Sequence, residues 1–135
     1  MSTNTRHERI FSVLSTVATG IERVANARIA SAVVFKNDIV SIGFNQLKTH
    51  PFQHLYSRND ESVYWHAETN AIHNALKQLS NRQLSKSFLY VCRIDQSQQY
   101  CMARPCDGCM KAIQRYKLKG LVYTVSGAFQ AEEVV

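Results

Sequence analysis

At 135 residues, with 45% hydrophobic and 19% charged side chains, the chain has the size and composition of one folded domain (1–135) around a single core. No apolar run approaches the roughly 20 residues that a bilayer crossing needs. The polar start Met1-Ser2-Thr3-Asn4-Thr5-Arg6 lacks the apolar stretch of a secretory leader, so a cytoplasmic protein with no membrane partner is expected. The net charge of +6 suits an anionic partner without naming one.

Taken in chain order, His7 to about Ala25 carries Ile10, Phe11, Leu14, Val17, Ala18, Ile21 and Val24 at helical spacing and predicts a core-covering first helix. Two β-branched runs follow, Ile29 to Phe35 and Ile39 to Phe44, and Lys36-Asn37-Asp38 between them is turn chemistry, so they predict an antiparallel hairpin. Residues 46–64 have no steady period and are broken by Pro51, which predicts a long functional loop. Ala67, Ala71, Ile72, Ala75, Leu76 and Leu79 restore helical period from His66 to Leu79. After a connection over 81–87, Phe88 to Ile94 is apolar enough for a strand covered on both faces. Asp95 to Gln99 predicts a polar turn, Cys106 to Lys119 a third helix with Gly120 as its C-cap, and Leu121 to Val125 a fourth strand. The eight residues after Gly127 are too few for a helix plus a packed strand. The order α-β-β-α-β-α-β implies an α/β, three-layer α-β-α fold, with a mixed sheet of four to five strands and helices on both faces.

Four cysteines allow two disulfides, but a reducing compartment and the Cys106/Cys109 spacing favour metal. Cys92 lies in an apolar run and reads as a buried strand residue; Cys101 reads as a bystander or a spare ligand. The cations Lys111, Arg115, Lys117 and Lys119 fit a solvated helix face.

Two short stretches carry the chemistry: His66-Ala67-Glu68 and Pro105-Cys106-Asp107-Gly108-Cys109. One imidazole and two thiolates a helical turn apart offer three tetrahedral ligands to Zn2+ and leave the fourth place for water. Glu68 stands near enough to take and return a proton beside that water. Both stretches fall at expected helix starts, where partial positive charge favours thiolates, and Pro105 presets the entry turn. Alone, a Cys-x-x-Cys pair also serves as a structural zinc knuckle or a redox pair, with Cys101 or His73 available as a fourth ligand; His-Ala-Glu alone carries little.

Together and in this order, the two motifs match the H-x-E…P-C-x-x-C pattern of zinc-dependent nucleobase deaminases. The chain resembles the cytidine and deoxycytidylate deaminase superfamily over roughly Ala30 to Val125, and is most like a compact deoxycytidylate deaminase. The resemblance implies a cytidine-deaminase-like fold, zinc held by His66, Cys106 and Cys109, and Glu68 as the proton carrier. Gly43-Phe44-Asn45 looks like the family's Gly-aromatic-Asn, so by the resemblance Asn45 would bind the sugar or base; on its own residues it also reads as a turn asparagine. The backbone of Ala67 would meet the base carbonyl, and the backbone near Ala103 would face the leaving amine, where relatives often carry a hydroxyl side chain.

Phe44 and Trp65 read either as walls that stack on a base or as core. His50, with His54, Lys48 and Arg58, reads either as a phosphate grip or as exposed loop. The implied reaction is hydrolysis of a cytosine-type nucleotide, dCMP to dUMP, with release of ammonia. The alternatives are a base in tRNA or single-stranded DNA, free cytidine or guanine, and a non-enzymatic zinc scaffold, against which Glu68 argues. A homo-oligomer is implied by the resemblance. Residues 46–64 contain no glycine, unlike the glycine-rich insert of allosterically controlled relatives.

Overall fold

A computed structural model describes residues 3–21, 28–56 and 64–134. Its sheet grows from a hairpin of β1 (Arg28–Phe35) and β2 (Asp38–Phe44). Lys36 and Asn37 form the two-residue turn with φ of 51° and 69°. Positive φ at both positions gives the turn the twist of the strands it joins.

Strand order is β2-β1-β3-β5-β6, with β3 (Phe88–Ile94) antiparallel to β1 and parallel to β5 (Gly120–Val125). A parallel neighbour needs a crossover. The chain supplies it with the short β4 (Tyr100–Cys101), which pairs back onto the end of β3, and then helix α5 (Asp107–Arg115). The edge strand β6 (Ala128–Glu133) returns antiparallel to β5 through Gly127, whose φ of 71° suits glycine.

Alternation along β3 sorts the two cores. Tyr90, Cys92 and Ile94 face helix α1 (Thr3–Thr19), which buries Ile10, Phe11, Leu14 and Ala18 against them. Leu89 and Val91 face the other way, toward Ala71, Ile72 and Ala75 of helix α3 (Ala67–Ala75) and Ala112 and Ile113 of α5. Each large aliphatic or aromatic side chain buried this way contributes about 1.5–3 kcal/mol. The result is the expected mixed α/β sandwich with helices on both faces, but its sheet has six strands where four to five were expected.

Several expectations need correction. Helix α1 begins and ends earlier than its stripe suggests: Ile21 lies in the turn after it, and Val24 falls outside the described residues. The stretch over 46–64 contains a short helix α2 (Pro51–His54), capped by His50, because proline at the first helical position surrenders no hydrogen bond. The connection over 81–87 contains α4 (Asn81–Leu84), closed by a capping box between Ser80 and Gln83. Gly120 is not a C-cap: α5 stops at Arg115, Lys117 takes the left-handed conformation with φ 58°, and Gly120 opens β5. A Cβ at Gly120 would lie 2.5 Å from the Phe88 ring, and that close approach explains the glycine. The residues after Gly127 do form a strand, because β6 needs only an edge to pair with and not a layer of its own. Among the described residues no helix is long and apolar enough to cross a membrane.

Candidate active site

Helix α3 lies directly on β2. Ser41 Oγ donates to Ala71 O at 2.8 Å, Asn74 Nδ2 to Ile42 O at 3.1 Å, and the Phe44 N–H to Asn70 Oδ1 at 3.1 Å. Small residues at Ala67, Ala71 and Gly43 permit that approach. The helix start is fixed from the loop side by Gln53, which is 1% exposed. Its Oε1 accepts from the His66 N–H at 3.0 Å and from the Thr69 hydroxyl. His66 is therefore the N-cap residue of a helix clamped on two sides.

The N-cap of α5 is Cys106, and Cys109 sits in its first turn, so both motifs do fall at helix starts. The ligand atoms of His66, Cys106 and Cys109 all lie within 4.8 Å of one another. His66 Nδ1 is 3.7 Å from Cys106 Sγ and 3.3 Å from Cys109 Sγ. Tetrahedral zinc with Zn–S of about 2.3 Å and Zn–N of about 2.05 Å requires N···S separations of about 3.5 Å. The two separations bracket that requirement, so the residues fit zinc. The remaining two cysteines stand apart: Cys92 is buried in the α1 core, as expected, and Cys101 is not in the ligand cluster.

The thiols are poised unequally. Cys106 is drawn down to about 3, first by its hydrogen bond with Cys109 and then by His66, against the effect of burial. Cys109 is pushed well up by the same bond and by burial. His66 is raised, chiefly by its hydrogen bond with Cys106. Coordination needs both sulfurs as thiolates and the imidazole neutral, so loading the metal releases protons.

Glu68 is 5% exposed, and its Oε1 is buried without a hydrogen-bond partner among the described residues. Burial raises its carboxyl above the usual range, with His66 opposing. A buried carboxyl with an unmet oxygen is destabilising unless a ligand uses it. This one borders a cavity of about 250 Å³.

Asn45, Trp65, Ala67 and Ala103 line that cavity beside His66, Glu68 and Cys106. Asn45 is anchored to β1 through its Oδ1, which accepts from the Ile29 N–H at 2.9 Å. The Ala103 N–H is committed to Thr124 O at 2.9 Å. His50 and Phe44 are not among the lining residues. His50 stacks on Trp65 with ring centroids 3.9 Å apart, and its Nδ1 accepts from the Phe52 N–H, so packing and capping occupy it. Phe44 is 38% exposed, because the alternation of β2 that turns Gly43 toward α3 turns Phe44 away. His73, once available as a fourth ligand, lies against the rings of His50, Phe52 and Trp65 instead.

Sequence reasoning missed Gln53, Asn70, Arg93 and Arg104. Gln53 and Asn70 are lone amides whose partners come from other segments, and no local pattern marks them. Arg93 and Arg104 line the cavity but lie outside both motifs; a cation interrupting the apolar run of β3 was the available signal.

Residues 4–125 match the family model described as the cytidine and deoxycytidylate deaminase zinc-binding region. The chain belongs to this family. No curated protein matches it by sequence. Among solved structures, this family member is similar to the dCMP deaminase of cyanophage S-TIM5 in its apo form, with 20% identity, 91% of this chain and 84% of that chain covered, and a TM-score of 0.59. It is also similar to the cytidine deaminase of Burkholderia pseudomallei, with 14% identity, coverage of 95% and 92%, and a TM-score of 0.66. For the guanine deaminase of Bacillus subtilis the values are 26%, coverage of 93% and 65%, and a TM-score of 0.55. These likenesses show the deaminase fold, and the family's zinc-binding region coincides with the His66, Cys106 and Cys109 cluster.

Proposed function

We propose that the chain is a zinc-dependent hydrolytic deaminase that converts a cytosine nucleotide, dCMP, to dUMP with release of ammonia. The observation that carries this reading is Glu68, a buried carboxyl with an unmet oxygen beside a three-ligand metal site at the wall of a cavity. A structural zinc site has no use for such a group.

His66, Cys106 and Cys109 would hold the ion. When bound, zinc supplies Lewis-acid activation of a water molecule. Glu68 then moves the protons: it accepts one from the attacking water, delivers it to the ring nitrogen beside C4, and later carries the second to the departing amino group. Water and cytosine are consumed, and uracil and ammonia are formed. Asn45 holds the sugar or base, the Ala67 backbone meets the base carbonyl, and the Ala103 segment faces the leaving amine. Trp65 forms a flat wall against the ring, with His50 supporting it from behind.

The choice of dCMP draws on the likeness to the phage dCMP deaminase, a protein also crystallised with dCMP and dUMP, and on the cationic side chains at the cavity wall. Four free cysteines, two of them needed as thiolates, support a cytoplasmic setting. Tyr64 and Met102 line the cavity while 43% and 57% exposed, which supports a homo-oligomer with a second copy at the mouth.

Ammonia release from cytidine, deoxycytidine, their monophosphates, guanine and oligonucleotides tests the assignment. Turnover of dCMP is expected, and turnover confined to guanine or to a polymer would overturn it. Glu68→Gln should keep its zinc by elemental analysis and lose activity by about 10²–10⁴-fold. Near wild-type turnover in that variant would remove Glu68 from its role.

A further inference from the structure

We infer that Arg93 reads the 5′-phosphate of the substrate, which makes the accepted class a nucleoside monophosphate and not a nucleoside or free base. The inference rests on the deaminase reading of the cavity and assigns its charge selectivity. Along β3, Leu89, Val91 and Arg93 share the face toward α3 and α5, and the first two belong to the core there. Arg93 is the point where that apolar stripe becomes cationic. It pairs with Ile29 of β1 and with Cys101 of β4, and Ile29, Val91 and Arg93 all line the cavity. Its main chain is fixed as well, because its N–H donates to Thr124 Oγ1 at 3.1 Å. The side chain thus projects from a backbone held by three neighbouring strands.

A second arginine lines the same cavity, but its charge is already answered. Arg104 donates from Nε and Nη2 to the two carboxylate oxygens of Glu132 at 3.1 and 2.9 Å, and the Tyr123 hydroxyl donates to the same carboxylate at 3.2 Å. The Arg93 guanidinium has no acceptor among the described residues. A guanidinium carries five donors in a planar fork that matches phosphate oxygens in pairs. The loop residues first considered for a phosphate are otherwise engaged or placed elsewhere. His50 caps α2, Lys48 lies over the Trp65 ring at 5.9 Å, His54 is not among the lining residues, and Arg58 falls outside the described residues. Glu68 and Arg93 both line this cavity, so a proton-handling group and an unpaired cation border the same space. Its volume of about 250 Å³ lies just under the roughly 300–1,000 Å³ of common ligand pockets, which suits one nucleotide better than a polymer.

Calorimetry on the zinc-loaded protein, with dUMP and deoxyuridine as probes, tests the assignment apart from turnover. Wild type should bind dUMP about 10- to 100-fold more tightly than deoxyuridine, the worth of hydrogen bonds between charged groups. Arg93→Gln should erase that preference and leave deoxyuridine binding unchanged, while Arg93→Lys should retain part of it. Equal binding of the two probes by wild type, an undiminished preference in Arg93→Gln, or equal loss of both probes would overturn the assignment. Failure of wild type to release ammonia from dCMP would instead sink the proposed reaction, and the calorimetric ratio still decides Arg93.

Discussion

Gly43→Ala tests how closely the metal site depends on the contact between β2 and α3. A Cβ at this position would lie 2.3 Å from Ala71 N, 2.5 Å from Ala67 O and 2.9 Å from Ala71 Cα. All three atoms are backbone, so no side chain can swing aside. Ordinary contact between non-bonded atoms begins near about 3.5 Å, so α3 must withdraw by about 1 Å. Overpacking of this kind costs about 1–3 kcal/mol. The bonds that tie α3 to β2, from Ser41, Asn74 and Phe44, are stretched by the same movement. Replacing glycine also restricts the unfolded chain, which offsets about 0.4–1 kcal/mol of the loss. The net expectation is destabilisation by about 1.3 kcal/mol, or roughly 4–6 °C in Tm for a chain of this length. Because α3 carries His66 and Glu68, a shift of about 1 Å should also lower turnover by about 10²-fold. Urea unfolding, elemental analysis and ammonia release measure the three effects on one preparation. A variant within about 0.5 kcal/mol of wild type, fully zinc-loaded and fully active, would refute the reasoning, since no rigid contact would then exist.

Chelation of zinc should lower Tm, and readdition should restore it, because the ion binds the folded cluster of His66, Cys106 and Cys109 and not a preformed site in the unfolded chain. Cys109→Ser should fail to retain metal through gel filtration, whereas Cys101→Ser should retain it. The Cys92 thiol is pushed up to about 12 by burial from an ordinary value of 9.0. Its folded pKa is raised, so its contribution is fully present below pH 9 and is lost as pH rises toward 12. Urea unfolding of Cys92→Ala under reducing conditions should therefore show a shallower fall in stability between pH 9 and 11 than wild type; parallel curves would contradict the burial argument.

Much of this protein was legible in one dimension because the relevant signals are local. The hairpin shows in β-branched runs flanking Lys36 and Asn37, and α3 shows in the spacing of Ala67, Ala71, Ile72 and Ala75. The metal ligands show in motif spacing, since two cysteines at the start of one helix hold a fixed separation whatever surrounds them. Local chemistry misled where an edge or a ring decided the outcome. Gly120 has the composition of a C-cap, yet the Phe88 ring across the sheet selects it, and Lys117 accepts the left-handed turn. Strand β6 has little apolar pattern because it lies at the sheet edge, and its pairing with β5 rests on backbone bonds that composition does not record.

What the sequence alone determined is the chemistry: a histidine, two cysteines and a carboxylate at spacings that suit one metal ion and one proton carrier. Tertiary structure decided what surrounds them. It brought Gln53 to the start of α3, left the Glu68 oxygen unmatched, turned Phe44 and His50 away from the cavity, and paired Arg104 with Glu132 while placing Arg93 on the cavity wall. The physical reason is range. Ligand spacing is set within one helical turn, whereas burial and charge compensation depend on groups tens of residues apart that meet only when the sheet is assembled.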